Sequence, residues 1–86
     1  MGVASFTKTL RPTEVKYGFI GFDAWQRGIL GQSFTIWYTG EVYEGKLTKA
    51  HRFVCRRLIH DISAAVGMSL HFKKRQDGVF LLTVLS

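Results

Sequence analysis

Apolar residues recur at three- and four-residue steps between Thr48 and Val66: Ala50, Val54, Leu58, Ile62 and Ala65, widened by Cys55, Ile59 and Val66. That spacing predicts one long amphipathic helix. Thr48 supplies an N-cap hydroxyl, and Gly67 supplies a residue that enters the left-handed region without strain to end it. The opposite side of this helix would carry Lys49, Arg52, Arg56, His60 and Ser63, with Arg57 at its flank. After Gly67 the period changes to two. Leu70 and Phe72 alternate with His71, Lys73 and Arg75, and Val79 to Leu85 is a nearly continuous apolar run, so a hairpin follows. A three-residue Gln76-Asp77-Gly78 loop, with Gly78 left-handed, pairs Phe72 with Leu82 and Leu70 with Val84. This register gathers Leu70, Phe72, Phe80, Leu82 and Val84 on one face. It leaves Val79, Leu81 and Leu85 on the other, which places the last strand inside a sheet or at a contact surface.

The first half is patterned more loosely. Residues 4–10 alternate as a strand that Arg11-Pro12 stops. Ser33 to Thr39 alternates as well, Phe34, Ile36 and Tyr38 against Thr35, Trp37 and Thr39, with an expected continuation past a Gly40 bulge to Gly45. Between them, Asp23 can cap a short helix from Ala24 to Leu30 closed by Gly31, or Val15 to Phe22 can form another strand. The pattern does not separate these two. The expected architecture is one α+β domain over residues 1–86. A small, mostly antiparallel sheet of three to five strands is covered on one face by the long helix, and a β-hairpin closes the chain. The order strand–helix–strand–helix–strand–strand is similar to that of small archaeal chromatin proteins and of the initiation factor C-terminal domain, without shared motifs.

Composition narrows the class. With 47% hydrophobic and 14% aromatic residues the chain has the means to build a core, which excludes a disordered protein. Cys55 is the only cysteine, so no disulfide forms within the chain, and together with the lack of a secretory leader it points to the cytoplasm. The Met1-Gly2 start fails the myristoylation pattern, because position six is Phe. The longest uninterrupted apolar run, Val79 to Leu82, is far below the ~20 residues of a membrane helix, so no membrane partner is expected.

Charge changes the picture more. The net charge is +6, and eight of the twelve Lys/Arg lie between Lys46 and Arg75 with Asp61 as the only acid there. Such asymmetry speaks of partners rather than fold. The candidate contact residues are Lys49, Arg52, Arg56 and Arg57 on the helix, and His71, Lys73, Lys74 and Arg75 at the hairpin. Trp37 joins them, since an exposed aromatic beside cations can stack a base while arginine holds phosphate.

Other motifs carry less. Gly18 to Gly21 and Gly28 to Gly31 match Gly-x-x-Gly, but Phe19-Ile20 and Ile29-Leu30 between the glycines suit packing turns rather than a phosphate clamp. His51 and Cys55 would share a helix face with i, i+4 spacing, yet structural zinc wants four ligands, and Cys55 falls in the apolar stripe. No catalytic constellation, cofactor motif or metal motif emerges, so the chain reads as a binding protein rather than an enzyme. The leading expectation is a small basic protein that binds DNA or RNA through phosphate contacts. The alternative is a protein-binding or inhibitor module, of accessory or phage type, that docks on an acidic patch using Val79, Leu81, Leu85 or Trp37 as apolar anchors. A small core also invites a homodimer through the C-terminal strand or its spare apolar face.

Overall fold

A computed structural model describes residues 4–85. The Met1–Val3 segment, on which the lipidation reading falls, lies outside the described residues. The alternating segments become a sheet, as a period of two requires. Strands β1 (Ser5–Thr9), β3 (Ser33–Tyr38), β4 (Glu41–Lys46), β6 (Ser69–Lys74) and β7 (Val79–Val84) form a five-stranded sheet in the order β1-β6-β7-β3-β4. Its neighbours are antiparallel except β3 and β7, which run parallel, so the sheet is mixed. A second, two-stranded sheet pairs β2 (Phe19–Gly21) with β5 (Arg52–Val54). An isolated bridge between Leu47 and Phe53 joins the end of β4 to β5. Three short helices complete the chain: α1 (Pro12–Tyr17), α2 (Ala24–Leu30) and α3 (Arg56–Asp61).

The hairpin takes the register that its turn chemistry demands. Phe72 faces Leu82 and Leu70 faces Val84, with Gly78 at φ 87°. Phe6, Ile36, Tyr43, Leu70, Phe72, Phe80 and Leu82 therefore point to one buried face. Phe6 stacks on Phe72 at 5.0 Å, and Phe22 meets both edge-on at 5.8 and 5.7 Å. Each such pair adds about 0.5–1.5 kcal/mol beyond the area it buries. Strand β7 is interior, bonded to β6 along its length and to β3 over Val79–Leu81. Its edge over those residues is consequently taken, which removes edge pairing there as a route to a dimer.

The long helix does not form. Thr48 to His51 make a turn, in which the Thr48 amide bonds the Arg52 carbonyl at 2.9 Å and the Arg52 amide reaches Thr48 Oγ1 at 3.3 Å. Residues 52–54 are then extended, and only Arg56–Asp61 are helical. The reason lies in Phe53. A helix would put this ring among the basic residues, whereas a strand buries it to 2% exposure against Phe34 at 5.0 Å. Val54 and Val66, members of the predicted stripe, end up exposed. The sheet is covered instead by β2, β5, the short helices and the residues that adjoin them, from which Ile20, Phe22, Leu30, Phe53, Leu58 and Ile62 join the core.

Two further expectations change. Gly40 is not a bulge: Thr39 at φ 47° and Gly40 at φ 87° form a two-residue turn that reverses the chain, so β4 pairs back on β3. Both central residues in the left-handed region define a type I′ turn, whose twist suits antiparallel strands. Asp23 does begin α2 and Gly31 does end it, while β2 occupies part of the alternative strand, so both readings of 15–31 hold in part. Helix α1, starting at Pro12 in its first turn and ending at left-handed Gly18, was not anticipated.

Glu14 and Gln26 are the buried polar side chains among the described residues. Gln26 accepts from the Asp23 amide at 2.9 Å and donates to the Thr7 carbonyl at 3.3 Å, tying α2 to the outer edge of β1. No helix is long and apolar enough to cross a membrane among the described residues.

Candidate nucleic-acid interface

Three chain segments meet where β1 ends. Arg11-Pro12 turns the chain out of the strand into α1, β2 follows it, and the antiparallel pairing of β2 with β5 sets Arg52 opposite Gly21. The Thr48–Arg52 turn brings His51 to the same place, at φ 62°. The result is a cleft of about 360 Å³ whose walls include Lys8, Arg11, Arg27, His51 and Arg52. Two carboxylates, Glu14 and Asp23, line it as well. Glu14 is already committed: it accepts from the Arg11 amide at 2.8 Å, the Gly21 amide at 2.6 Å and Lys8 Nζ at 3.1 Å. Lys8 and Glu14 therefore cancel, and Arg11, Arg27 and Arg52 outnumber Asp23. The Arg52 guanidinium sits over the Phe19 ring, its Cζ 4.5 Å from the centroid, a cation–π contact that uses none of its N–H donors. Arg27 is oriented by a 2.7 Å bond from Nη1 to the Phe22 carbonyl.

The residues singled out from the sequence fall in five places rather than on one face. Arg52 lines the cleft, and exposed Lys49 sits in the adjoining turn. Arg56 is exposed at the start of α3, with its aliphatic stem beside Gly18. Arg57 is held in a separate polar niche with Thr39, Glu41, Tyr43 and Asp61. There it donates to the Val42 carbonyl at 2.8 Å and lies 4.3 Å over the Tyr43 ring. The Tyr43 hydroxyl donates to Asp61, which pushes the Tyr43 pKa up to about 12 and lowers that of Asp61. His71 bonds Thr7 Oγ1 at 3.2 Å on the outer face of the five-stranded sheet, where Lys73 and Trp37 also lie. Lys74 is 5.9 Å over Phe80, and Arg75 is paired bidentately with Asp77 at 3.1 and 2.5 Å. That pair raises the arginine pKa and lowers the carboxyl's.

Register separates the hairpin tip from the cleft. Thr9 pairs with Ser69 and Ser5 with Lys73, so Arg11 and Arg75 lie beyond opposite ends of the β1–β6 ladder. The ladder between them spans roughly 13 Å at ~3.3 Å per residue. The sequence reading missed Lys8, Arg11, Arg27 and His51 as cleft residues. They belong to no local motif, and long-range pairing alone brings them beside Arg52. Gly18-Phe19-Ile20-Gly21 is neither a phosphate clamp nor a turn: Gly18 ends α1, Phe19–Gly21 are strand β2 with Phe19 and Ile20 buried, and the Gly21 amide is taken by Glu14. Cys55 is half-buried ahead of α3, and no group of three metal-binding side chains gathers among the described residues.

No family of known proteins matches the chain, and no curated protein matches it. Among solved structures the chain is similar to a hypothetical protein of Arabidopsis thaliana, with a TM-score of 0.68 over 99% of this chain and 92% of that one. The two are 13% identical, so the likeness is one of fold.

Proposed function

We propose that this is a nucleic-acid-binding protein whose phosphate contacts come from the cleft between β1, α1, the 48–52 turn and α2. One observation carries the reading: Arg11, Arg27 and Arg52 converge on one concavity in which the buried carboxylate, Glu14, is already paired. A concave, net-positive wall suits the regularly spaced phosphates of a strand, because arginine offers two donors per phosphate and salt is displaced on contact. Lys49, exposed in the turn beside the cleft, extends the track. The hairpin tip plays a smaller part, since Arg75 is neutralised by Asp77.

The test is fluorescence anisotropy with labelled duplex DNA, single-stranded DNA and single-stranded RNA. With about four phosphates engaged, log K against log salt for duplex has a slope near −3.6, or a ~150-fold loss between 50 and 200 mM. Arg11→Glu with Arg52→Glu abolishes binding, and Lys74→Glu with Arg75→Glu changes it less than about threefold. Folded protein that binds none of the three probes at about 50 mM salt overturns the proposal. Equal losses from both charge reversals move the site away from the cleft.

A further inference from the structure

Of the charged residues that line the cleft, Asp23 is the one that weakens the binding of a phosphate. Glu14 is buried and bonded to two amides and to Lys8, whereas Asp23 is exposed and forms no ion pair among the described residues. Arg27 follows it at the i+4 step, which brings side chains on a helix to about 5–6 Å between Cβ atoms. Yet Arg27 spends Nη1 on the Phe22 carbonyl at 2.7 Å, one residue before Asp23, and not on the Asp23 carboxylate. A guanidinium with N–H groups to spare and an acceptor-only carboxylate thus stand one turn apart without pairing, at the wall of one cavity.

This arrangement favours a particular kind of ligand over a bare anion. Phosphate alone gains from Arg11, Arg27 and Arg52 and is repelled by Asp23. A ligand with a hydroxyl a few bonds from its phosphate gains from both, because its anionic oxygens accept from the arginines while its O–H donates to the carboxylate. The cavity, about 360 Å³, is at the small end of ligand pockets and has the room of one nucleotide, not of a duplex. Within a strand, the one hydroxyl of a nucleotide is the ribose 2′-OH, which neighbours the 3′-phosphate and is absent from DNA. Acidic side chains capture ribose hydroxyls in the same way in dinucleotide sites.

We infer that Asp23 makes the cleft selective for RNA: the arginines hold a phosphate, and Asp23 accepts a hydrogen bond from the adjoining 2′-hydroxyl. The inference rests on the nucleic-acid reading and adds to it the sugar that is recognised and the residue that recognises it. Asp23 also stands at the N-cap of α2. A cap uses one carboxylate oxygen and leaves the other for the ligand.

Fluorescence anisotropy at about 50 mM salt tests it with single strands of one mixed sequence. The three probes are RNA, DNA with deoxyuridine for uridine, and 2′-O-methyl RNA, which keeps the oxygen and loses its proton. The wild type binds RNA about tenfold tighter than either other strand, the worth of one charge-assisted hydrogen bond. Asp23→Ser keeps a good N-cap but is too short to reach the sugar. It tightens DNA binding by removing a negative charge, and it brings RNA and DNA within about twofold of each other. Asp23→Asn, also a good cap, keeps a neutral acceptor and an intermediate preference. A wild type that binds RNA and DNA within about twofold overturns the inference and leaves the nucleic-acid reading standing. So does 2′-O-methyl RNA that binds as tightly as unmodified RNA, or a preference for RNA undiminished in Asp23→Ser. Folded protein that binds none of the probes overturns both.

Discussion

Replacing Glu14 by Gln separates what this side chain does for the fold from what it withholds from the cleft. Glu14 is 3% exposed and accepts from two backbone amides and from Lys8, whose side chain is 12% exposed. Glutamine keeps the shape but offers one acceptor oxygen, and its NH₂ must face a donor. One buried N–H is left unpaired, at a cost of about 1–3 kcal/mol. Lys8 also loses its counter-charge; breaking a fully buried pair costs about 3–5 kcal/mol, and the access of Lys8 to the cleft brings this to the low end or below. A net loss of about 3 kcal/mol follows. For a domain this size that lowers Tm by roughly 12–24 °C. Stability near 0.05–0.15 kcal/mol per residue leaves the variant folded at room temperature across most of that range. Lys8→Met spares both backbone bonds and costs less, about 1–2 kcal/mol. The double variant costs less than the two singles together, because the unpaired ammonium is gone. Urea melts followed by circular dichroism give these numbers. In the anisotropy assay, Glu14→Gln frees the Lys8 charge, tightens duplex binding and steepens the salt slope by about 0.9. A Glu14→Gln loss under about 0.5 kcal/mol, or strict additivity with Lys8→Met, refutes the structural role. Unchanged or weaker binding by the folded variant refutes the idea that Glu14 masks a cleft cation.

Three other predictions follow from the same geometry. Thr39→Asn stabilises the fold by about 1 kcal/mol in urea melts, since a β-branched residue at φ 47° is strained and Asn tolerates the left-handed region. Gly45→Ala destabilises by about 1–3 kcal/mol, because a Cβ there would overlap the Phe34 ring across the β3–β4 pair. Tyr43→Phe alters the pH profile of stability at both ends. In the wild type the tyrosine value is raised from 10.0 to about 12, so its contribution is complete below pH 10 and is lost as pH rises toward 12. Asp61 has a lowered value, so its contribution is complete above the ordinary carboxyl range and is lost as acid protonates it. Melts across pH should show the alkaline decline vanish and the acidic one shrink in Tyr43→Phe; an identical profile refutes the Tyr43–Asp61 coupling.

What could be read from the chain beforehand depended on how local its cause was. The β6–β7 register was legible because Asp77-Gly78 and the alternation of Leu70 and Phe72 decide it within a few residues. Helix α2 was legible only in part: Asp23 and Gly31 mark its ends, but the pattern alone did not separate it from a strand over Val15 to Phe22. The β3–β4 turn was not, because Thr39-Gly40 lacks the Asn-Gly or Asp-Gly signature, and strained Thr39 is held there by pairing on both sides. The helical period over 48–66 was present but outvoted by one ring: burying Phe53 against Phe34 requires a strand, and Phe34 is nearly twenty positions away. The cleft was least legible. Charge along the chain marked Lys46 to Arg75 as the basic region, yet Lys8, Arg11 and Arg27, from the part that sums to slightly negative, supply most of its cations. Of the two carboxylates beside them, Glu14 is spent on buried pairing and only Asp23 opposes the cations, and no linear tally registers that.

The strand order has a consequence for biosynthesis. Strand β7 is the seam that holds the β1–β6 pair to the β3–β4 pair, and β1 finds its ladder partner 64 positions later, where Thr7 meets His71. A chain leaving the ribosome can zip β3 onto β4 at once, but Phe6 has no Phe72 to stack on until the last hairpin emerges. Such distant pairing places the domain among slower folders, in the millisecond-to-second range. Until then the nascent chain shows its aromatic interior to solvent and to chaperones, and a stop codon between Lys74 and Val79 leaves the β1–β6 and β3–β4 pairs without the strand that joins them.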